Sequence, residues 1–225
     1  MDLAPLWISL KTAITATLAT FFLGLITAWL VAGYRGKFKG FIDGLLTLPM
    51  VLPPTVVGFF LLLLLGKNGP FGQVLYLLGT QIIFSWPATV ISATVVAFPL
   101  MYKTARGAFE QIDVNTINAA RTLGASEWKV FWKVAVPLAW PGIIAGTILA
   151  FARALGEFGA TLMIAGNIPG KTQTIPVAIF FAVENGEMEQ AMTWVFMVFL
   201  ISLVLMSIMN YWVDAQRKQA PTGKW

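Results

Sequence analysis

The sequence predicts an all-α polytopic membrane protein with five transmembrane helices and a set of short helices outside the bilayer, and three observations carry that prediction. Only 11% of the 225 residues are charged while 58% are hydrophobic, with a mean hydropathy of +0.78; soluble domains run nearer a quarter charged. Five apolar stretches are long enough to cross about 30 Å of hydrocarbon. The basic residues fall in short intervals between those stretches. The net charge of +5 therefore reflects membrane topology, and no nucleic-acid partner is expected. With no His and no Cys, a zinc site, a thiol nucleophile, a His general base and a disulfide framework are excluded, and no cofactor is implied.

The first span covers 13–32, free of charge and rich in Leu, Ile, Phe and Ala, with Lys11 placed to snorkel to an interface. The N-terminus carries Asp2 and lacks a basic n-region, so no cleavable signal peptide is expected. A basic turn, Gly33 to Gly40, leads to the second span at 41–65. Within it Pro49, Pro53 and Pro54 remove backbone donors, so the helix is expected to be kinked or broken there, and in lipid a break needs protein or a cavity to satisfy the freed carbonyls. A packing kink and a pathway-lining break both fit Pro53, Pro54 and Thr55. Residues 66–81 read as a loop with a short surface helix. The third span is 82–101, the fourth 142–165 and the fifth 191–211. The apolar run 175–183 is too short to cross as a helix and reads as re-entrant or interfacial.

The central loop, 103–137, is the longest polar-containing interval that still reads as ordered. Asp113 is a candidate N-cap, Gly124 a candidate left-handed stop, and Ser126 a candidate cap for a second helix. In that helix Trp128, Phe131, Trp132 and Ala135 share one face, and Pro137 disfavours helix at Val136. Two short helices joined by a glycine elbow follow, either as a docking element or as an amphipathic surface anchor.

The Gly33–Asp43 turn, the central loop and the tail with Arg217, Lys218 and Lys224 hold eleven of the fifteen Lys and Arg. Lys11, Lys67 and Lys171 lie on the other side. That asymmetry predicts an outside N-terminus and an inside C-terminus.

Arg153 and Glu157 are the ionisable residues placed deep within a span. Four residues apart on one expected helix, they can pair, and an unpaired charge there is costly enough that both should face the protein interior. The pair can be a self-satisfied lock, or it can border a substrate path in which Arg153 supplies positive potential for an anion. Gly166 to Thr172 superficially follows a phosphate-binding loop, but it is one residue short and carries Pro169 where N–H donors are needed, so nucleotide binding by this chain is rejected. A secondary transporter would need coupling-ion groups and usually internal repeats, none of which is evident. A membrane enzyme would need more than Glu184 and Glu187 without a basic partner.

The stretch Asn118-Ala119-Ala120, Gly124-Ala125-Ser126 and Val134 to Pro137 resembles the coupling loop of bacterial ABC importer permeases. That motif reads Glu-Ala-Ala, three residues, Gly, then about nine residues to an Ile-x-Leu-Pro-like end; Asn118 departs from it where the pattern has glutamate. Phe151 to Thr161 is similar to permeases for the tetrahedral oxyanions molybdate and sulfate. Leu48 to Gly58 and Gly166 to Pro176 resemble the molybdate branch. The resemblance covers about Trp7 to Tyr211. It implies a type I importer permease that is not itself an enzyme, working as a homodimer in the bacterial inner membrane. Its implied partners are two copies of a cytoplasmic ATPase docked on the coupling loop, a periplasmic molybdate-binding protein and membrane lipid. Molybdate, with tungstate, is the implied cargo, and sulfate or thiosulfate the alternative.

Overall fold

The computed structural model describes residues 2–219, and the basic-tail residue Lys224 lies outside them. Every regular element among the described residues is helical. Helix α1 (Ala4–Gly33), α5 (Trp86–Glu110) and α8 (Val136–Leu155) pack into the central three-helix core. Ala13, Ala16 and Ala28 of α1 and Ala93, Ala97 and Ala105 of α5 are fully buried. Small residues at these positions let backbones approach closely, which is how helices associate when hydrocarbon is as apolar as the side chains.

Four helical stretches are long and apolar enough to cross a membrane, and a bent pair makes a fifth if it is one span. That pair is α2 (Lys39–Val51) and α3 (Pro54–Leu65), which meet at 110°. Pro53 and Pro54 disfavour helix at the residues preceding them, so Leu52 and Pro53 are extended and the chain turns there. A 13-residue helix rises about 20 Å. Helix α2 by itself is therefore too short to cross a layer about 30 Å thick. The expected single span 41–65 is in this sense a broken one. Helix α4 (Pro70–Leu77) is the short helix expected within 66–81.

The other boundaries move for identifiable reasons. Helix α5 runs past 101 to Glu110, so it extends into what reads as loop in the sequence. The fourth stretch does not continue to 165: α8 ends at Leu155, Gly156 to Phe158 are non-helical, and α9 (Gly159–Ala165) follows. Glu157 causes part of this break, because its carboxylate accepts the Ala160 N–H at 2.8 Å and caps α9. Helices α10 (Ile175–Glu184) and α11 (Met188–Gln219) complete the chain, with Trp194 of α11 buried against Ile175 and Ala178.

Between α5 and α8 lie α6 (Val114–Thr122) and α7 (Glu127–Val130). From α7 the chain enters a π-helical turn, Phe131–Ala135, and then α8 without interruption. Pro137 therefore does not end a helix, contrary to the expectation from sequence. Its missing N–H falls next to a turn where the ladder has already slipped to i→i−5, the Val136 N–H bonding the Phe131 carbonyl. Trp29, Phe109, Phe131 and Trp132 clasp this turn to α1 and α5, with ring centroids 4.9–5.6 Å apart for the closest pairs.

The Arg35–Lys39 turn and the central loop come together at one end of the bundle. There Gly33, Arg35, Glu110, Asn118 and Arg121 border a cavity of about 620 Å³. Lys11 sits at the other end, its ammonium 4.0 Å from the Trp86 ring.

Candidate functional site

The elbow expected around Gly124 is present. The Asp113 carboxylate accepts the Asn115 N–H at 2.9 Å and caps α6. Gly124 has φ +80°, the left-handed region that L side chains adopt only with strain. The N–H groups of Leu123, Gly124 and Ala125 then bond the carbonyls of Ala119, Arg121 and Ala120, closing the helix end. Ser126 occupies the N-cap position of α7, but its hydroxyl makes no capping bond. Across the elbow, Arg121 donates through Nε and Nη2 to the two oxygens of Glu127 at 2.7 and 3.0 Å. This two-pronged bond holds the Arg121 guanidinium above its ordinary pKa. The pair spans a turn at a separation of six, so helical spacing rules give no signal for it.

Asn118, Ala119, Gly124, Ser126 and Pro137 are exposed, whereas Ala120 and Ala125 are half-buried against the core. Leu123 and Trp128, which flank the elbow, are 88% and 70% exposed. Trp128 keeps the shared face predicted for it, its ring 5.6 Å from Trp132 and 6.4 Å from Phe131, but as the exposed outer member, while Phe131 and Ala135 are buried. Large apolar side chains held out on a closed, capped turn are suited to insertion into a partner's pocket.

The second set of candidates assembles inside the bundle. Glu157 is 2% exposed, and its Oε2 lies 2.8 Å from Arg153 Nη1. The ion pair thus forms, although Arg153 is the last-turn residue of α8 and Glu157 stands beyond its end. Oε1 accepts the Ala160 N–H, whereas Oε2 has only the ion-pair contact with the guanidinium and accepts no aligned hydrogen bond. The Arg153 side chain keeps 32% of its surface free. It borders a cavity of about 210 Å³ walled by Pro49, Leu52 and Pro54 of the α2–α3 elbow and by Val96 and Leu100 of α5. Pro53 and Thr55 are exposed at the same elbow but outside that wall. The elbow is pinned to α9 by a close approach: a Cβ on Gly58 would lie 2.7 Å from Met163 Cβ and 2.8 Å from Ala160 Cα. Residues more than ninety positions apart in sequence are thereby brought to one pocket, with a half-free guanidinium as its cation.

The Gly166–Thr172 loop is folded on itself. The N–H groups of Lys171, Thr172 and Gln173 all turn onto the Ile168 carbonyl, and the Thr172 hydroxyl accepts the Ile168 N–H at 3.1 Å. The N–H groups of Gly166, Ile168, Lys171 and Thr172 are thus spent on the chain itself, which leaves no row of free donors along the loop.

Residues 20–219 match the family of binding-protein-dependent transport system inner membrane components. The chain belongs to this family. Among the permease's relatives, the molybdenum transport system permease protein ModB of Escherichia coli K12 is 46% identical over 179 residues, covering 79% of this chain and 78% of that one. ModB of Haemophilus influenzae is 40% identical over 226 aligned positions, covering 100% and 98%. A bacterial alginate ABC transporter, solved in complex with an alginate pentasaccharide-bound periplasmic protein, shares the fold. It has a TM-score of 0.74 at 15% identity, over 99% of this chain and 80% of that one.

Proposed function

We propose that this permease is the membrane-spanning subunit of an ATP-driven importer that carries molybdate, and with it tungstate, into the bacterial cytoplasm. The observation that carries the reading is the combination of 40–46% identity to molybdenum permeases with a half-free Arg153 at an intramembrane pocket. A fixed cation at that depth suits a divalent oxyanion.

The working unit is a homodimer of this chain, with two copies of a cytoplasmic ABC ATPase and a periplasmic molybdate-binding protein. The α6–Gly124–α7 elbow faces the cytoplasm and docks the ATPase, with Leu123 and Trp128 as its apolar anchors. ATP closes the ATPase dimer and draws the two elbows together, and the pathway opens outward. Clustering of the Arg35–Lys39 turn with the central loop at one end supports a cytoplasmic assignment for that end and a periplasmic N-terminus. One guanidinium cannot measure the small size difference between two tetrahedral dianions. Selection between molybdate and sulfate therefore belongs to the binding protein, and the permease contributes charge and coupling.

A deletion strain tests the cargo. Molybdenum-dependent enzyme activity should be lost at trace molybdate and return when molybdate is in excess, with growth on sulfate as sole sulfur source unaffected. Sulfur auxotrophy with normal molybdoenzyme activity would place the cargo in the sulfate class.

A further inference from the structure

Helix α2 is the least buried of the elements that form the Arg153 pocket. Of its thirteen residues only Thr47 is buried, while Ile42 and Leu46 rest half-covered on the core. Besides these two apolar contacts, its first two turns are tied to the body by polar groups. Arg106 of α5 donates from Nη1 to the Asp43 carboxylate of α2, and from Nε to Glu110 at 3.0 Å. The Tyr102 hydroxyl donates to the same Asp43 oxygen at 3.0 Å. Lys39 of α2 closes the circuit onto Glu110 Oε1 at 3.1 Å. Two α2 residues one turn apart thus meet three α5 residues spaced four apart, with Arg106 at the centre.

The position of this circuit gives it consequence. Toward one side, α5 ends at Glu110 and reaches the cap of α6 within three residues. Toward the other, the far end of α2 supplies Pro49 and Leu52, and α5 supplies Val96 and Leu100, to the pocket beside Arg153. The same two helices are joined at the network and form facing walls at the pocket. Beyond the elbow, α3 is held on α9 by the close Gly58 contact, and the non-helical Leu52–Pro53 break separates it from α2.

We infer that Arg106 is a positioning residue: with Asp43, Glu110, Lys39 and Tyr102 it locks α2 to the end of α5, so that displacement of the α6 elbow moves α2 and alters the width of the Arg153 pocket. This rests on the importer reading above and adds the route by which the elbow reaches the pathway. A salt-bridged clamp of this kind acts as one body throughout the cycle. Arginine is required because its fork serves Asp43 and Glu110 at once, which a single ammonium on a flexible stem does less well.

The test uses the permease reconstituted in proteoliposomes with its cognate ATPase and binding protein. Radiolabelled molybdate uptake and ATP hydrolysis are measured on equal amounts of assembled complex. Arg106→Gln should keep at least half of the ATP hydrolysis and lower molybdate imported per ATP at least fivefold, with Arg106→Lys in between. Asp43→Cys with Arg106→Cys should be uncoupled when untreated. Bridging the two thiols with a flexible bis-maleimide should restore at least half of the wild-type ratio, and no native cysteine competes. An unchanged ratio in Arg106→Gln overturns the inference even if thermal stability falls, because a merely structural pair would move stability alone. Failure of the bridge to raise the ratio above that of the untreated double variant also overturns it, since holding α2 to α5 would then not restore coupling. The wild-type arm keeps the two readings apart. If wild type carries sulfate and not molybdate, the cargo assignment fails, and the same ratios measured with sulfate still decide the clamp.

Discussion

Replacing Arg153 by Met removes the cation from a carboxylate that is 2% exposed. Breaking one partner of a buried pair costs about 3–5 kcal/mol. The lower end applies here, because the arginine side chain is 32% exposed and the Ala160 N–H still solvates Glu157 Oε1. A loss of about 3 kcal/mol in a chain of this size corresponds to a fall in Tm of roughly 6–12 °C. Adding Glu157→Gln removes the stranded charge and keeps an oxygen for the Ala160 cap, so the double variant should regain all but about 1 kcal/mol. Thermal stability in detergent and molybdate uptake in proteoliposomes, measured on all three variants, separate the two roles of the pair. The expected result is a double variant as stable as Glu157→Gln alone, with uptake reduced at least tenfold. Wild-type uptake by the stable double variant would refute a role for Arg153 in the pathway and leave the pair as a lock.

Three further outcomes follow from particular residues. Gly124→Val places a β-branched residue at φ +80°, a strain of about 1–2 kcal/mol. Apart from its chain neighbours, no described residue lies within 4 Å of the added Cβ. Membrane insertion should therefore be normal, while the ATPase washes off membranes more easily and transport falls; full transport-coupled hydrolysis would remove the elbow from the coupling role. Gly58→Val drives a Cβ into Met163 and the Ala160 backbone. Overpacking of this kind costs about 1–3 kcal/mol, which detergent melting should report, and an unchanged Tm would contradict the α3–α9 contact. Single cysteines at Asn68 and Asn185, both exposed, should react with an impermeant maleimide in intact cells, and one at Ser126 should not. Labelling at 126 from outside would invert the topology. Ser9 is unsuitable as a reporter because it is buried and its hydroxyl accepts the Ile175 N–H at 2.7 Å.

The features legible in the sequence were those governed by local chemistry or by bulk transfer energy. Charge depletion and long apolar runs give a membrane-embedded helical chain because each span must satisfy its own backbone in lipid. Asp113 and Gly124 mark a helix start and stop because capping depends on one residue and its immediate backbone. Arg153 and Glu157 were expected to pair because neither charge can stand alone at that depth, and the spacing allowed it.

Tertiary structure decided the rest. Whether three prolines kink a helix or fold it back at 110° depends on what holds the second half, here the Gly58 contact with α9. Whether Pro137 stops a helix depended on the π-turn before it, which the Trp29–Phe109–Phe131 cluster secures from two other helices. The break after Leu155 came in part from Glu157 capping α9 ahead of it, a role invisible while both residues are counted on one helix. The Asp43–Arg106–Glu110–Lys39 circuit joins residues about seventy positions apart. Periodicity reports which face of a helix a side chain occupies, but only packing determines which other helix that face meets.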